Sequence, residues 1–386
     1  MFDDVQLRRA VALRRDLHQH PELKFEEHRT AGKVAEGLRD LGYAVREGIA
    51  RTGVLAELDT GRPGPVIALR ADMDALPIEE ANDLAHRSAH AGRMHACGHD
   101  GHTAALMLAA ETIMQCREHL SGHLKLIFQP AEEGGNGAER MIQEGVLDAP
   151  RVEAIFGYHN RPGFESGMLF VKPGSAMGGN DTYRVIVQGR SGHAAMPHLA
   201  VDPIYVGTSI VQQLQGLTAR HKSPLRAGVI TVAAFHAGDA ANVIPGEAEL
   251  LVNIRNDGDE VREALAGHLE QVVAGVCNAH GAGYRIEQLH HVPPLVNDPE
   301  WSELVLKVGR DRGVARRIEK VDTMPTMGAE DFAFYLREVP GCFFFVGNGE
   351  EGAYLHNDRY EFNDEILPVA AGTFVALVDA LMGQEA

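Results

Sequence analysis

Helical segments and short apolar runs alternate through the first third of the chain. A helix that Asp3 or Asp4 can cap is predicted to reach about His20, and a second helix is predicted over residues 26–41. Three runs rich in Val, Ile and Leu follow, at 43–47, 54–58 and 66–70, and they predict strands. Helices that alternate with buried strands predict a layered α/β domain.

The pattern changes near residue 181. Residues 182–189 alternate between polar and apolar positions, which predicts a strand with one solvent-exposed face. The later segments predict helices at 203–220 and 261–279 and strands at 227–236, 246–253 and 284–289. Their β-α-β-β-α-β order is the ferredoxin-like plan. We therefore predict an inserted domain over 180–293, with hinges near 172–180 and 292–297, and an outer domain made of 1–179 and 294–386.

Acidic or imidazole groups follow three successive strands of the outer domain. They are Asp72 and Asp74 after the strand at 66–70, Glu132 and Glu133 after a strand at 123–128, and His159 after a strand at 154–158. Taken singly, the aspartates are explained as turn residues and the glutamates as surface residues. Ligand-binding groups of open α/β sheets gather at the carboxyl ends of strands. Three such ends together predict a site at one edge of the sheet.

Residues 94–110, MHACGHDGHTAALMLAA, bring a thiol and three imidazoles close together: His95, Cys97, His99 and His102. Such ligands on a loop that opens a helix indicate a transition-metal site, and the alternative is a histidine-rich loop with a structural thiol. In an extended loop, Cys97 and His99 point the same way because they are two residues apart. His102 falls on the first turn of a helix predicted over 103–116, where capping or packing explains it equally well.

Composition narrows the classes of function. The chain has 54 acidic and 36 basic residues, for a net charge of -18, so binding to a phosphate backbone is not expected. Its four cysteines are scattered over 386 residues, which argues against a disulfide framework. The N-terminus lacks an apolar signal region, and no uninterrupted apolar run has the length of a membrane span. We expect a cytoplasmic protein with a small-molecule substrate.

Nine segments resemble one known family, the M20 metallopeptidases, in its amidohydrolase branch. This branch includes hippurate hydrolases, N-acyl-L-amino-acid amidohydrolases and plant auxin-conjugate hydrolases. The segments occur in family order over nearly the whole chain: RRDLHQHPEL, ALRADMDALPI, MHACGHDGHTAALMLAA, FQPAEEGGNGA, GYHN, GRSGHAAMPH, NVIPGEAELLVNIR, MGAEDFAFY and LHNDRYEFND. The resemblance implies a zinc-exopeptidase-like catalytic domain with a central mixed sheet, plus an inserted ferredoxin-like lid.

The resemblance also implies two divalent metal ions, with zinc favoured and manganese, cobalt or nickel as alternatives. The implied ligands are Cys97 as the bridge, His99 and His159 on one metal, and Glu133 and His356 on the other. Glu132 would be the general base, and Asp72 a carboxylate that orients a ligand. Other branches place a ligand histidine where this chain has Arg70, which cannot bind a metal, so His99 would take that role.

The lid residues acquire roles only through the resemblance. His193 would reach from the partner subunit's lid and polarise the scissile carbonyl, in a homodimer or larger homo-oligomer. Asn242 and Arg255 would hold the substrate carboxylate, and Gly328 would lie near the substrate. From the residues alone, Arg255 is equally explained by a salt bridge at a sheet edge and Asn242 by a turn. Glu330 and Asp331 are explained by the dipole of a helix predicted to start within 327–335.

The predicted function is metal-dependent hydrolysis of the amide bond of N-acyl-L-amino acids, which yields a carboxylic acid and a free amino acid. A water activated by the metals attacks the carbonyl, and Glu132 takes its proton. The alternatives are a dipeptidase or aminopeptidase of the same family and a non-catalytic binding protein. Every role in the site is filled in this sequence, which argues against the non-catalytic reading.

Overall fold

The computed structural model describes residues 1–323 and 326–384, and these form two compact units. The first unit comprises residues 1–176, 296–323 and 331–384. The second comprises residues 177–295 together with 326–330. The short segment 326–330, which includes Gly328, groups with the second unit although the sequence pattern assigns it to the outer domain.

The elements are numbered in chain order. The helices are α1 (Asp4–Gln19), α2 (His28–Leu41), α3 (His99–Gln115), α4 (Gly137–Gln143), α5 (Pro203–Arg220), α6 (Asp259–His280), α7 (Pro299–Arg312), α8 (Phe332–Glu338) and α9 (Leu367–Met382). The strands are β1 (Ala44–Ile49), β2 (Gly53–Asp59), β3 (Val66–Asp72), β4 (His123–Gln129), β5 (Ala154–Pro162), β6 (Leu169–Val171), β7 (Gly174–Met177), β8 (Gly179–Gln188), β9 (Gly192–His193), β10 (Gly228–His236), β11 (Val243–Ile244), β12 (Glu247–Asn256), β13 (Gly283–Val292), β14 (Leu295–Asn297), β15 (Ile318–Lys320) and β16 (Gly341–Gly349).

The first unit is built on a mixed sheet of eight strands, in the order β1-β2-β4-β3-β5-β16-β6-β15. Strands β4, β3, β5 and β16 run parallel to one another, whereas the β1–β2, β2–β4 and β16–β6 pairs are antiparallel. The predicted α/β class with a central mixed sheet is therefore confirmed. Because β4, β3 and β5 are parallel neighbours, their carboxyl ends meet at one edge, where the sequence places its acidic and imidazole groups.

Local chemistry explains most helix ends. Asp3 caps α1 through a reciprocal bond with Gln6, and Gly42 ends α2 in a left-handed conformation with φ 98°. Three predicted boundaries were wrong. Helix α2 begins at His28 rather than residue 26, α3 begins at His99 rather than 103, and β5 runs to Pro162 rather than 158. Helix α8 begins at Phe332, inside the predicted range.

Helices α3 and α9 lie in the core of the first unit. Nearly all residues of α3 are buried, and α9 packs against α3, α1 and α7. Among the described residues, one helical segment, Asp364–Met382, is long and apolar enough to cross a membrane by length and composition, but 61% of it is buried. Its apolarity is accounted for by its packing in this core.

The second unit contains an antiparallel sheet of four strands in the order β10-β12-β8-β13. Within the predicted β-α-β-β-α-β unit, this is the order second, third, first, fourth, as in the ferredoxin-like plan. Helices α5 and α6 cover one face, with Ile210, Leu214, Leu265 and Leu269 in a shared apolar core. The predicted hinge at 172–180 is more ordered than expected, because it contains β7 and the start of β8.

Candidate metal centre

The turn that carries Glu132 and Glu133 is held by carboxylates from elsewhere in the chain. Asp74 accepts hydrogen bonds from the backbone N–H of both glutamates, at 3.0 Å each, one to each carboxylate oxygen. The preceding N–H, of Ala131, donates to Glu27 Oε1 at 2.9 Å. Ala131 has a left-handed φ of 55°, which an L-residue adopts only at a cost. The two buried carboxylates therefore fix the direction of the Glu132 and Glu133 side chains.

The loop before α3 is a tight turn. Gly98 has φ 94°, and a Cβ at this position would lie 2.3 Å from Asn160 Nδ2. The expectation of an extended loop between Cys97 and His99 was wrong. The left-handed glycine instead turns the chain directly into α3, which makes His99 the first residue of that helix.

The predicted ligands come together in two overlapping sets that share Cys97. In one set, the ligand atoms of Cys97, His99 and His159 all lie within 4.8 Å of one another, and in the other, those of Cys97, Glu133 and His356 do so. His356 is in a loop with φ 64°, and its backbone N–H donates to Ala96 O at 2.8 Å. This bond ties the C-terminal loop to the Cys97 loop.

The donor set fits divalent metal ions. The Nδ1 of His159 lies 2.6 Å from the backbone oxygen of Asn160, which leaves Nε2, 3.4 Å from Cys97 Sγ, available for a ligand. The Nε2 of His99 is buried without a hydrogen-bond partner. A buried imidazole nitrogen with no partner, beside a thiol and a carboxylate, is the arrangement that a transition metal satisfies.

The pKa values of three candidate ligands are shifted by burial and by nearby charges. Burial and the charges of Glu133 and Glu132 raise the pKa of Cys97 well above its ordinary value, so the thiol needs a nearby cation to ionise. Burial lowers the pKa of His159 well below its usual range, which keeps the ring neutral and able to bind a metal. Burial also lowers the pKa of His99, but the adjacent carboxylates of Asp72 and Asp74 outweigh this and raise it to about 10.

Asp72 lies behind the two histidines of α3. It is 2.6 Å from His102 Nδ1 and 3.7 Å from His99 Nε2, and Arg70 donates to it at 2.7 Å. The other ring nitrogen of His102 accepts from the N–H of Asn160 at 3.1 Å. Both nitrogens of His102 are thus occupied, which fits the packing and supporting role that the sequence left open for it.

Asp331 has a different role from the one predicted. It caps α8 by position, but its carboxylate makes no capping hydrogen bond. Instead it is buried, lies 3.1 Å from Arg70 Nη2 and accepts from Gln129 Nε2 at 2.7 Å. The helix dipole alone therefore does not explain this residue. Arg70, which stands where other branches have a ligand, joins Asp331 to Asp72.

Sequence reasoning underrated Asp74 and missed Glu27 and Asn160. Asp74 was given less weight than Asp72, although it holds the glutamate turn and lies 3.3 Å from His99 Nδ1. Asn160 had a signal, since it follows His159 directly, and its Nδ2 donates to Cys97 O at 2.7 Å. No signal in the sequence marked Glu27, because acidic residues are common just before helices. His95 is buried near the site but belongs to neither ligand set.

Comparison with known proteins identifies the family. Residues 68–380 match the model of peptidase family M20/M25/M40. The chain belongs to this family. It is 36% identical to thermostable carboxypeptidase 1 of Saccharolobus solfataricus, over 94% of this chain and 92% of that protein. It is also 36% identical to the hippurate hydrolase of Campylobacter jejuni, over 95% of this chain and 94% of that protein.

A solved structure of similar size supports the assignment. A Bacillus subtilis protein described as a dinuclear metal-binding peptidase of the M20 family is 34% identical, with a TM-score of 0.85, and the match covers 98% of this chain and 99% of that one. The predicted resemblance to M20 is thus confirmed. This M20 chain is a hydrolase, and its acidic and imidazole cluster is the natural candidate for the active site.

In this M20 chain, two of the residues predicted to contact substrate are neighbours within the second unit. Strand β9 pairs with β11, which sets His193 opposite Val243, next to Asn242. The backbone N–H of Ala195 donates to His193 Nδ1 at 3.1 Å. A neutral His193 therefore carries its proton on Nε2, where it can be donated to a substrate oxygen. Asn242 lies in a turn, as its alternative explanation requires.

Arg255 and Gly328 also belong to the second unit. Arg255 lies on β12, an interior strand, and among the described residues no carboxylate is within 4.0 Å of it. Its Nε donates only to Asn253 Oδ1, at 2.9 Å, so the predicted alternative of a sheet-edge salt bridge was wrong. Gly328 donates its N–H to Thr326 Oγ1 at 3.0 Å, and its carbonyl accepts from Gly178.

Proposed function

We propose that the protein hydrolyses the amide bond of N-acyl-L-amino acids, with two divalent metal ions held by Cys97, His99, His159, Glu133 and His356. The observation that carries this proposal is the pair of overlapping ligand sets that share Cys97. Membership of M20, the hippurate hydrolase relative and the dinuclear relative support a metal-dependent amidohydrolase. When bound, such ions would polarise the substrate carbonyl and lower the pKa of the attacking water.

Glu132 is the residue placed to move the proton. Its side chain lies within 4.8 Å of ligand atoms of His99 and Glu133, and the N–H of Asp331 lies 3.4 Å from its Oε1. In the proposed reaction, Glu132 accepts the proton of the attacking water and then returns it to the leaving amine. The Asp74 and Glu27 carboxylates keep the turn in place while this happens.

The lid residues complete the proposal. His193, donating through Nε2, stabilises the negative charge that develops on the carbonyl oxygen, a contribution of about 3 kcal/mol by comparison with other such donors. Asn242 and Arg255 hold the carboxylate of the amino-acid half, and this role is supported by the absence of a carboxylate beside Arg255 within the described part of the chain. We also propose that His193 acts across a homodimer. In this proposal the favoured metal is zinc, and the protein is cytoplasmic.

A second candidate function is hydrolysis of peptides with a free amino end or a free carboxyl end. The relative named a carboxypeptidase, at 36% identity, favours it. The two functions share the metal centre and differ in what lies on the acyl side of the scissile bond.

The test is a substrate panel on the purified protein loaded separately with zinc, manganese, cobalt and nickel. It compares N-acetyl, N-benzoyl, N-indolylacetyl and long-chain N-acyl amino acids with unblocked dipeptides. We expect faster turnover of the N-acyl compounds. The Glu132→Gln variant should keep its metal, by elemental analysis, and lose at least about a hundredfold in kcat. Preference for unblocked dipeptides would favour the peptidase function, and an active Glu132→Gln variant would remove Glu132 as the base.

A further inference from the structure

Arg161 is a buried cation without an internal counter-ion. It lies near the end of β5 and is 3% exposed. Its Nε and Nη2 have no hydrogen-bond partner, and among the described residues no carboxylate lies within 4.0 Å of its guanidinium. By contrast Arg14 and Arg70, which are also fully buried, contact Asp364 and Asp72 respectively. Burial of a charge is costly unless it is paired, so Arg161 stands apart from the other buried arginines.

The surroundings of Arg161 are those of the metal centre. It is two residues beyond His159 on the same strand, and alternation along a strand directs such side chains to one face. Its guanidinium lies over the ring of Tyr354, 5.3 Å from the centroid, and Tyr354 is two residues before His356. The guanidinium therefore lies beside the segments that carry two candidate ligands, His159 and His356.

The unpartnered atoms define the class of ligand. Nε and Nη2 form one edge of a guanidinium, with two N–H bonds pointing in nearly the same direction. This edge matches the two oxygens of a carboxylate, which it binds through a pair of parallel hydrogen bonds. A neutral carbonyl offers only one acceptor atom at this spacing and leaves the buried charge uncompensated.

We propose that Arg161 is a carboxylate-binding residue of the metal centre, a role separate from that of the lid residues Asn242 and Arg255. The inference rests on the proposed function, because hydrolysis of an N-acyl amino acid involves two carboxylates. One belongs to the amino-acid half of the substrate, and the other is created when the amide bond breaks and the acyl carbon takes the water oxygen.

The experiment compares wild type, Arg161→Met, Arg161→Lys and the control Arg359→Met, all metal-loaded. Arg359 lies in the same loop as His356, but it is exposed and donates to a backbone carbonyl. Five quantities are measured: KM and kcat for hippurate, KM and kcat for hippuramide, which lacks the carboxylate, and the inhibition constant of benzoate. Thermal melting of each variant is recorded without ligand.

We expect Arg161→Met to weaken carboxylate binding at least tenfold, with Arg161→Lys intermediate and Arg359→Met unchanged. A rise in KM for hippurate but not hippuramide assigns the carboxylate of the amino-acid half. A weaker benzoate constant assigns the acid product. Arg161→Met should melt at or above the wild-type temperature, since it removes an unpaired buried charge. Changes below twofold in all five quantities overturn the proposal, as does a large fall in melting temperature with unchanged constants.

Failure of the proposed function has a different signature. If wild type hydrolyses neither hippurate nor hippuramide, the proposed substrates are wrong, but binding remains measurable. Calorimetric titration of benzoate into the metal-loaded protein then tests whether Arg161 binds a carboxylate. Binding by wild type that is lost in Arg161→Met supports a carboxylate site at Arg161. Equal binding by both, or none by wild type, overturns it.

Discussion

Replacing Glu27 by Gln should make the metal-free protein more stable above neutral pH and leave it almost unchanged near pH 5. Glu27 is fully buried at the start of α2. One carboxylate oxygen accepts from Ala131 N at 2.9 Å, and the other accepts from the hydroxyl of Thr52 at 2.5 Å. A glutamine has the same shape, accepts the same backbone N–H through its carbonyl, and donates to the Thr52 oxygen through its amide.

The magnitude follows from the ionisation of Glu27. Burial and the charge of Asp74 raise the pKa of Glu27 from 4.5 to about 7. The folded protein therefore binds this proton more tightly than the unfolded chain, so its stability falls as pH rises from about 4.5 to about 7. At about 1.4 kcal/mol per pKa unit, the loss is about 3 kcal/mol. Gln carries no charge at any pH, so the Glu27→Gln variant does not show this fall in the free energy of unfolding.

The assay is urea unfolding of wild type and Glu27→Gln at pH 5 and pH 8, with a chelator present in every sample. The difference in free energy of unfolding between the two proteins should be about 2.5 kcal/mol larger at pH 8 than at pH 5, because Glu27 of the unfolded chain is already partly ionised at pH 5. Glu22→Gln is the control, because Glu22 also accepts backbone N–H groups of α2, from Arg29 and Thr30, but is less buried than Glu27. If the Glu27→Gln difference is the same at both pH values, the reasoning about burial and Asp74 is wrong.

Three further predictions concern the metal centre. Cys97→Ala should lose both metals by elemental analysis, because the thiol belongs to both ligand sets, and full retention of two metals would exclude a bridging role. Asp74→Asn should keep its metals but lose at least about tenfold in kcat, since an amide can accept only one of the two N–H groups that hold Glu132 and Glu133. A mixture of His193→Ala and Glu132→Gln proteins should regain part of the wild-type activity, and no recovery after confirmed subunit exchange would show that each site uses its own lid.

Much of the site could be predicted because its groups lie at or near the carboxyl ends of strands, although β5 runs on to Pro162 and therefore contains His159. A strand end can be recognised from a local pattern of apolar residues and turns, and parallel neighbours bring such ends to one edge. Asp72, Glu132, Glu133 and His159 were found in this way. His356 is in a loop with no such pattern, and it was found only through the resemblance to M20. The boundaries that were wrong, such as the start of α3, depend on one left-handed glycine whose conformation the local pattern does not reveal.

The roles of the supporting residues could not be predicted. Glu27 contacts a backbone N–H 104 residues away, and Arg70 contacts Asp331 at a separation of 261 residues. Nothing near Glu27 in the sequence distinguishes it from an exposed helix cap. Its burial, and so its raised pKa, arises only when α2 packs beside the turn after β4.

The sequence by itself determined most of the long helices and strands, the α/β class, the family and the residue types available for metal binding. These depend on local periodicity, turn chemistry and motif spacing. Only the tertiary structure decided which carboxylate orients which group, that both ring nitrogens of His102 are occupied, and that Arg161 has no counter-ion among the residues that the structure describes. The reason is physical: a side chain's burial, partners and charge environment are set by contacts between distant segments, and these exist only after the chain has folded.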